Sequence, residues 1–185
     1  MKKEIEYIDY YIGKTNKAIS ENIKKKKKIF EIFLLLKKLN KNNNIHVFGN
    51  GGSSAIASHF SMDITNNSNL SCYNHSDPSM ITCYSNDYGY ENWMKKALEK
   101  YGKKGDILFL ISSSGESKNI INALKIAKEK KFKKIIGFSG FKKGNSLNKF
   151  SDISFWVDLK NYNMLENIHQ IYLLLLVEMF KKFKN

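Results

Sequence analysis

The sequence predicts a three-layer αβα sandwich, a central parallel sheet with helices on both faces, preceded by an N-terminal helical arm. Two passages and one pattern carry this expectation. In HVFGNGGSSAIASHF, an apolar run (Ile45, Val47, Phe48) enters the turn Gly49-Asn50-Gly51-Gly52 and a helix-like run (Ala55, Ile56, Ala57, His59, Phe60) leaves it. Further on, Ile107 to Ile111 is a continuous apolar run suited to a strand buried on both faces. It ends in Ser112-Ser113-Ser114-Gly115-Glu116-Ser117, after which Ile120, Ile121, Leu124 and Ala127 mark a helix. The pattern is the alternation of strand and helix along the rest of the chain, the signature of βαβ units.

In chain order, residues 3–39 read as one or two helices in which Gly13 is the single glycine. The dense run Lys24 to Lys28 falls inside them and reads as a solvated turn of a long helix. Strands are predicted at 45–48, 80–84, 106–111, 134–138 and 153–157, and helices near 53–66, 91–101, 117–130 and 163–183. Residues 66–79 are polar, carry the only proline (Pro78) and read as a loop; residues 141–146 read as another. No linker or longer repeat divides the chain, so residues 1–185 are expected to form one domain with an arm over 1–40.

Composition narrows the function classes. The net charge of +14 raises nucleic acid as a partner, but the lysines are spread along the chain rather than gathered in a stripe, which argues against it. Cys72 and Cys83 have neither metal-ligand nor disulfide-framework spacing and suit a reducing compartment. The N-terminus MKKEIEYIDYYIGK lacks the apolar core of a signal peptide, and the apolar stretch Ile171 to Val177 is too short to cross a bilayer. A cytoplasmic protein without membrane contact is expected.

The chemistry sits at the two turns. Glycines let backbone N–H groups approach a ligand, and a helix start adds partial positive charge, so Gly51, Gly52 and Ser53 form a seat for an anion such as phosphate. The third glycine of a dinucleotide fingerprint and the Gly-Lys-Ser/Thr of a nucleotide-triphosphate loop are both missing, and a tight turn without ligand remains the alternative. Ser112, Ser113, Ser114 and Ser117 offer neutral donors to phosphate oxygens, although Ser114 or Ser117 could be a plain helix cap.

GNGGSSAIASHF, SNDYGYE (Ser85 to Glu91) and ISSSGESKNIINAL, in this order and over about Ile45 to Met179, resemble the sugar isomerase (SIS) fold, and within it the phosphoheptose isomerase branch. The resemblance implies a flavodoxin-like nucleotide-fold type of sandwich, and the interconversion of sedoheptulose 7-phosphate with glycero-manno-heptose 7-phosphate or of a related ketose phosphate, serving heptose for lipopolysaccharide or capsule. It implies sugar-phosphate binding by Asn50, Gly51, Gly52 and Ser53, by the pair Asn86 and Asp87, and by Ser112, Ser113, Ser114 and Ser117. It also implies a homotetramer with active sites between subunits, to which the N-terminal arm contributes.

The catalytic set is matched only in part. The family places a histidine on the helix after the glycine loop and a glutamate four residues on; here His59 and Asp63 stand there. The family glutamine of the last helix is replaced by Glu166, and eight residues further the family's histidine is replaced by Leu174. Four- and eight-residue spacings keep these side chains on one helix face. The resemblance then implies zinc held by His59, Asp63 and Glu166, with Asp63 and Glu166 as the catalytic carboxylates. Leu174 is expected to pack in the core with Ile171, Leu175 and Met179; His169 aligns with a family histidine to which no catalytic role is given. Two other readings stay open: a phosphosugar-binding or regulatory protein that has lost catalysis, and an adaptor for a replication initiator.

Overall fold

The computed structural model describes residues 2–183. Helices α1 (Lys2–Asn22) and α2 (Lys26–Lys37) form the arm, and β1 (Ile45–Gly49), α3 (Gly52–Asn67), β2 (Cys72–Tyr73) and α4 (Pro78–Tyr88) follow. Then come α5 (Trp93–Tyr101), β3 (Ile107–Ser112), α6 (Lys118–Glu129), β4 (Lys134–Ser139), α7 (Ser146–Phe150), β5 (Ile153–Trp156) and α8 (Tyr162–Lys182). All strand pairs are parallel and the order is β2-β1-β3-β4-β5. The chain runs outward from β1 to β2 and then returns to β3 on the other side of β1, so the strand order reverses between β1 and β3. In open α/β sheets ligands bind at the carboxyl edge beside such a reversal. Register pairs Gly49 with Ile111, which sets the glycine turn and the serine turn side by side at that edge.

Alternation along β3 builds the two outer layers. Ile107, Phe109 and Ile111 pack with α2, α3 and α8, whereas Leu108 and Leu110 pack with α5 and α6. With both faces covered, the strand reads as a continuous apolar run, as a buried parallel strand should.

Three local expectations are corrected. Residues 80–84 are helical: Pro78 occupies the first turn of α4 and the Asp77 carboxylate accepts from the N–H groups of Ser79 and Met80, a start signal that overrides the β-prone Ile81-Thr82-Cys83-Tyr84. The edge strand β2 lies instead in the segment read as a loop, where Cys72 pairs with Ile45. The second segment read as a loop, 141–146, is one up to Asn145, which caps α7 through the N–H of Asn148. The Lys24–Lys28 run is not one solvated turn, because a 3₁₀ turn (Ile23–Lys25) separates α1 from α2. Lys25 turns inward, donating to the Trp156 carbonyl and the Asn22 side chain beside the Phe155 and Trp156 rings. Burial, together with the nearby Lys28 charge, lowers its pKa to about 8.

A buried polar chain crosses the edge of the sheet away from the two turns. Asp106 accepts from His46 Nε2 at 2.9 Å and from the N–H groups of Asn44 and Lys103, and His46 Nδ1 meets His75 Nε2 at 2.8 Å. Burial opposes the charge on Asp106, but these hydrogen bonds outweigh it and keep its carboxyl below its ordinary range. Burial, with a smaller contribution from His46, lowers His75 to about 4, and burial lowers His169 of α8 to about 4 as well.

Both histidines are therefore neutral when folded and take up protons more readily when unfolded. Their contribution is complete above the ordinary histidine pKa of 6.5 and is lost as the pH falls toward 4. Urea midpoints should fall over this window, with a slope of up to about 1.4 kcal/mol per pH unit for each histidine. A His169→Leu variant should show a shallower slope.

Candidate functional site

The first half of the site is the start of α3. Gly51 holds φ +54 at its cap position, and no side chain caps the helix there, so the first N–H groups remain directed outward. A Cβ at Gly49 would meet the Ser53 backbone at 2.4 Å, so only glycine lets β1 turn this tightly into α3.

The second half is the turn after β3. Ser112 Oγ accepts from the N–H of Gly115 and lies 3.4 Å from Ser117 Oγ, and Ser114 Oγ accepts from the N–H of Glu116. Ser117 stands at the cap position of α6 but makes no capping hydrogen bond, so the N-terminus of that helix is also left open. Ser113 Oγ is buried and has no partner among the described residues. A buried hydroxyl without a partner is costly.

The two halves share a cavity of about 110 Å³, lined by the four serines, Asn50 and Ser53, and closed by Tyr162 and Glu166. Asn50 and Asn119 exchange two amide hydrogen bonds of 2.9 and 3.0 Å, tying the glycine turn to the first turn of α6, and Tyr90 Oη donates to Asn50 Oδ1 at 3.1 Å. Asn119 and Tyr90 escape the sequence reading; the available signals were a polar residue in the first turn of a helix and an aromatic next to Gly89. Among the described residues no cationic side chain lines this cavity, so an anion there would be held by hydroxyls, backbone N–H groups and the ends of two helix dipoles.

Helix α8 covers the start of α3. Glu166 Oε1 accepts from Ser53 Oγ at 3.3 Å, and a Cβ on Gly52 would lie 2.2 Å from Glu166 Oε2. Glu166 also borders a second, more open crevice of about 430 Å³ with His59 and Gln170. His59 Nε2 stands 3.2 Å from Asp63 Oδ2, and His59 Nδ1 stands 3.3 Å from Gln170 Nε2. Gln170, absent from the sequence reading, follows Glu166 by one turn on the same helix face.

Other sequence-predicted residues fall elsewhere. Asn86 and Asp87 are exposed on α4, hydrogen-bond to each other, and line neither cavity within the chain. Asp87 lies inside α4 and caps no later helix. Leu174 and Met179 are half-buried against the core as expected, but Ile171 and Leu175 are 43% and 42% exposed, so the apolar face of α8 continues past the core onto the surface. His169 is buried and T-stacked on Phe138.

The three residues expected to hold zinc do not converge. His59 and Asp63 meet, but Glu166 is turned to Ser53, and among the described residues no three His, Cys, Asp or Glu side chains form a metal-holding group. A catalytic zinc uses three protein ligands. The single chain does not present such a set among its described residues.

The SIS domain family pattern matches residues 6–140, more than half of the chain. The chain belongs to the SIS domain family. A phosphoheptose isomerase of Fusobacterium nucleatum is 36% identical over 143 residues, which are 75% of this chain and 73% of that protein. One of Aliarcobacter butzleri is 32% identical over 167 residues, 87% and 85% of the two chains. One of Glaesserella parasuis is 42% identical over 127 residues, 65% of each chain. Among solved structures, a phosphoheptose isomerase from Neisseria gonorrhoeae superposes with a TM-score of 0.88 at 26% identity, covering 96% of this SIS chain and 98% of that one. The enzyme from Francisella tularensis gives the same values.

The orphaned hydroxyl and the close glycine give two tests. Ser113→Ala should leave the melting temperature unchanged or raise it, because it removes an unpaired buried hydroxyl, yet should reduce the thermal stabilisation given by phosphate or a sugar phosphate. Gly52→Ala meets only the movable end of Glu166, so the protein should fold with a melting temperature within a few degrees of the parent. Its crystal structure should show the carboxylate displaced from Ser53.

Proposed function

We propose that this SIS protein is a phosphosugar aldose–ketose isomerase acting on sedoheptulose 7-phosphate. The single observation that carries the reading is the cation-free serine cavity, with its unpartnered Ser113 hydroxyl, opening beside a crevice that holds a histidine and a carboxylate. The 32–42% identity to phosphoheptose isomerases supports it.

The phosphate sits between the α3 and α6 N-termini, on Ser112, Ser113, Ser114, Ser117 and the N–H groups following Gly51. At 1.5 Å of rise per residue, His59 lies about 10 Å further along α3 than Gly52. An extended seven-carbon sugar phosphate spans such a distance from phosphorus to its carbonyl end. Glu166, the titratable group common to both cavities, takes the proton from the hydroxyl-bearing carbon next to the carbonyl. The freed electron pair forms the carbon–carbon double bond of the enediol, and the carbonyl oxygen takes up a proton from the His59–Asp63 pair, delivered through the free oxygen of Asp63. Glu166 then returns the first proton to the other carbon, while the hydroxyl on the carbon that lost it gives its O–H proton back to the His59–Asp63 pair and becomes the new carbonyl. Asp63 holds His59 and is the second carboxylate of the set.

A homotetramer belongs to the same proposal. Ile5, Ile8 and Ile12 of α1 are exposed in the single chain, and Asn86 and Asp87 stand outside the crevice, as residues would that serve a neighbouring subunit.

A second reading rests on Leu174. One turn beyond Gln170, where the resembled family has a histidine, it offers no titratable group, which favours binding without turnover.

The deciting measurement is incubation with sedoheptulose 7-phosphate, followed by product formation and melting temperature. Product together with stabilisation is expected; stabilisation without product would establish the second reading, and neither would remove both. Glu166→Gln restores the amide that the family has at this position. If Glu166 is the base, the variant should lose about 10²–10⁴-fold in kcat while KM changes little; retained activity would assign Glu166 to binding and leave Asp63 as the base.

A further inference from the structure

We propose that Gln170 is a positioning residue, setting the tautomer and orientation of His59 and through it the direction in which Asp63 presents its free carboxylate oxygen. The proposal rests on reading the His59 crevice as the reacting end of the isomerase site.

The geometry leaves little choice of proton. His59 Nε2 faces a carboxylate oxygen, Asp63 Oδ2, at 3.2 Å, and only an N–H is attracted there. In the neutral ring, Nδ1 is then a bare acceptor and needs a donor. Gln170 Nε2 stands 3.3 Å away and donates to it. The order Gln170 N–H, His59 ring, Asp63 carboxylate is the polarity that makes both contacts attractive with a neutral imidazole. A second-sphere partner that fixes a histidine tautomer is a general device, and a loss of geometry near 1 Å at a reacting group costs about a hundredfold in rate.

The placement of Gln170 is specific. It is half-buried, and although Asn163 and Asn167 line the same crevice, Gln170 is the amide that stands at the His59 ring. Glu166, one turn earlier, touches Ser53, and Gln170 touches His59, so the two track successive positions of α3 on a single face of α8. The phosphate seat lies at the Glu166 end. Loss of Gln170 should therefore leave ground-state binding and disturb the reacting end alone.

The chain has four histidines, His46, His59, His75 and His169, so ring-nitrogen NMR on protein labelled with ¹⁵N-histidine can resolve each one, with His59→Gln assigning the signal. At a pH where His59 is neutral, the parent should show Nε2 protonated and Nδ1 bare. Gln170→Leu should give a mixture of tautomers, and Gln170→Glu, which keeps the side-chain length but can only accept, should favour the doubly protonated ring, since a carboxylate then faces each nitrogen. In the isomerase assay, Gln170→Leu should lower kcat by roughly tenfold with KM within about twofold. A His59 signal unchanged in both variants, or an Nδ1-protonated ring in the parent, overturns the proposal. If the parent makes no product, the isomerase reading falls, while the NMR signals still decide what Gln170 does to His59.

Discussion

The site depends on the close approach of α8 to the first turn of α3. Gly52 permits it, since any side chain there would occupy the space of the Glu166 carboxylate. Because the two helices are packed along their length, one contact sets the next. Glu166 rests on Gly52 and Ser53, Gln170 reaches His59 a turn later, and Leu174 follows on the same face of α8. The carboxylate thus hangs over a helix N-terminus at the border of two cavities, a place that secondary structure alone would not give it.

The anion seat follows a related economy. Two helices leave their N-termini uncapped at the reversal of strand order, and four serines and the turn after Gly49 surround the gap. Attraction for a doubly charged phosphate comes from aligned peptide dipoles and N–H groups that folding has already oriented. Although the net charge is +14, no lysine among the described residues lines this cavity. The Asn50–Asn119 amide pair holds the two halves together across the sheet edge, so the seat is rigid before any ligand arrives.

The sandwich was legible because its cues are local. Gly49 to Gly52 can be nothing but a tight turn between Ile45–Phe48 and the helix after it, and the apolar run at 107–111 marks a strand covered on both faces. Residues 80–84 misled because Ile, Thr, Cys and Tyr favour a strand, while the Asp77 cap and Pro78 that decide for helix lie outside that window. The two-residue β2 carries too little sequence to announce itself and exists because Cys72 reaches the edge of β1. Lys25 shows the same limit: within five lysines it looks solvated, and only packing against Phe155 and Trp156 makes it half-buried.

The sequence by itself determined the layer architecture, the two strand–turn–helix passages, and the departures at Asp63, Glu166 and Leu174, since each is written in residues close together or in spacing along one helix. Only the tertiary structure decided which of these groups meet. It turned Glu166 to Ser53 rather than to a shared metal, paired His59 with Asp63 and Gln170, and left Asn86 and Asp87 outside the crevice of their own chain. The physical reason is that contacts between α3 and α8 join residues more than a hundred positions apart, and their geometry is set by how two helices pack on one sheet face, which no local pattern encodes.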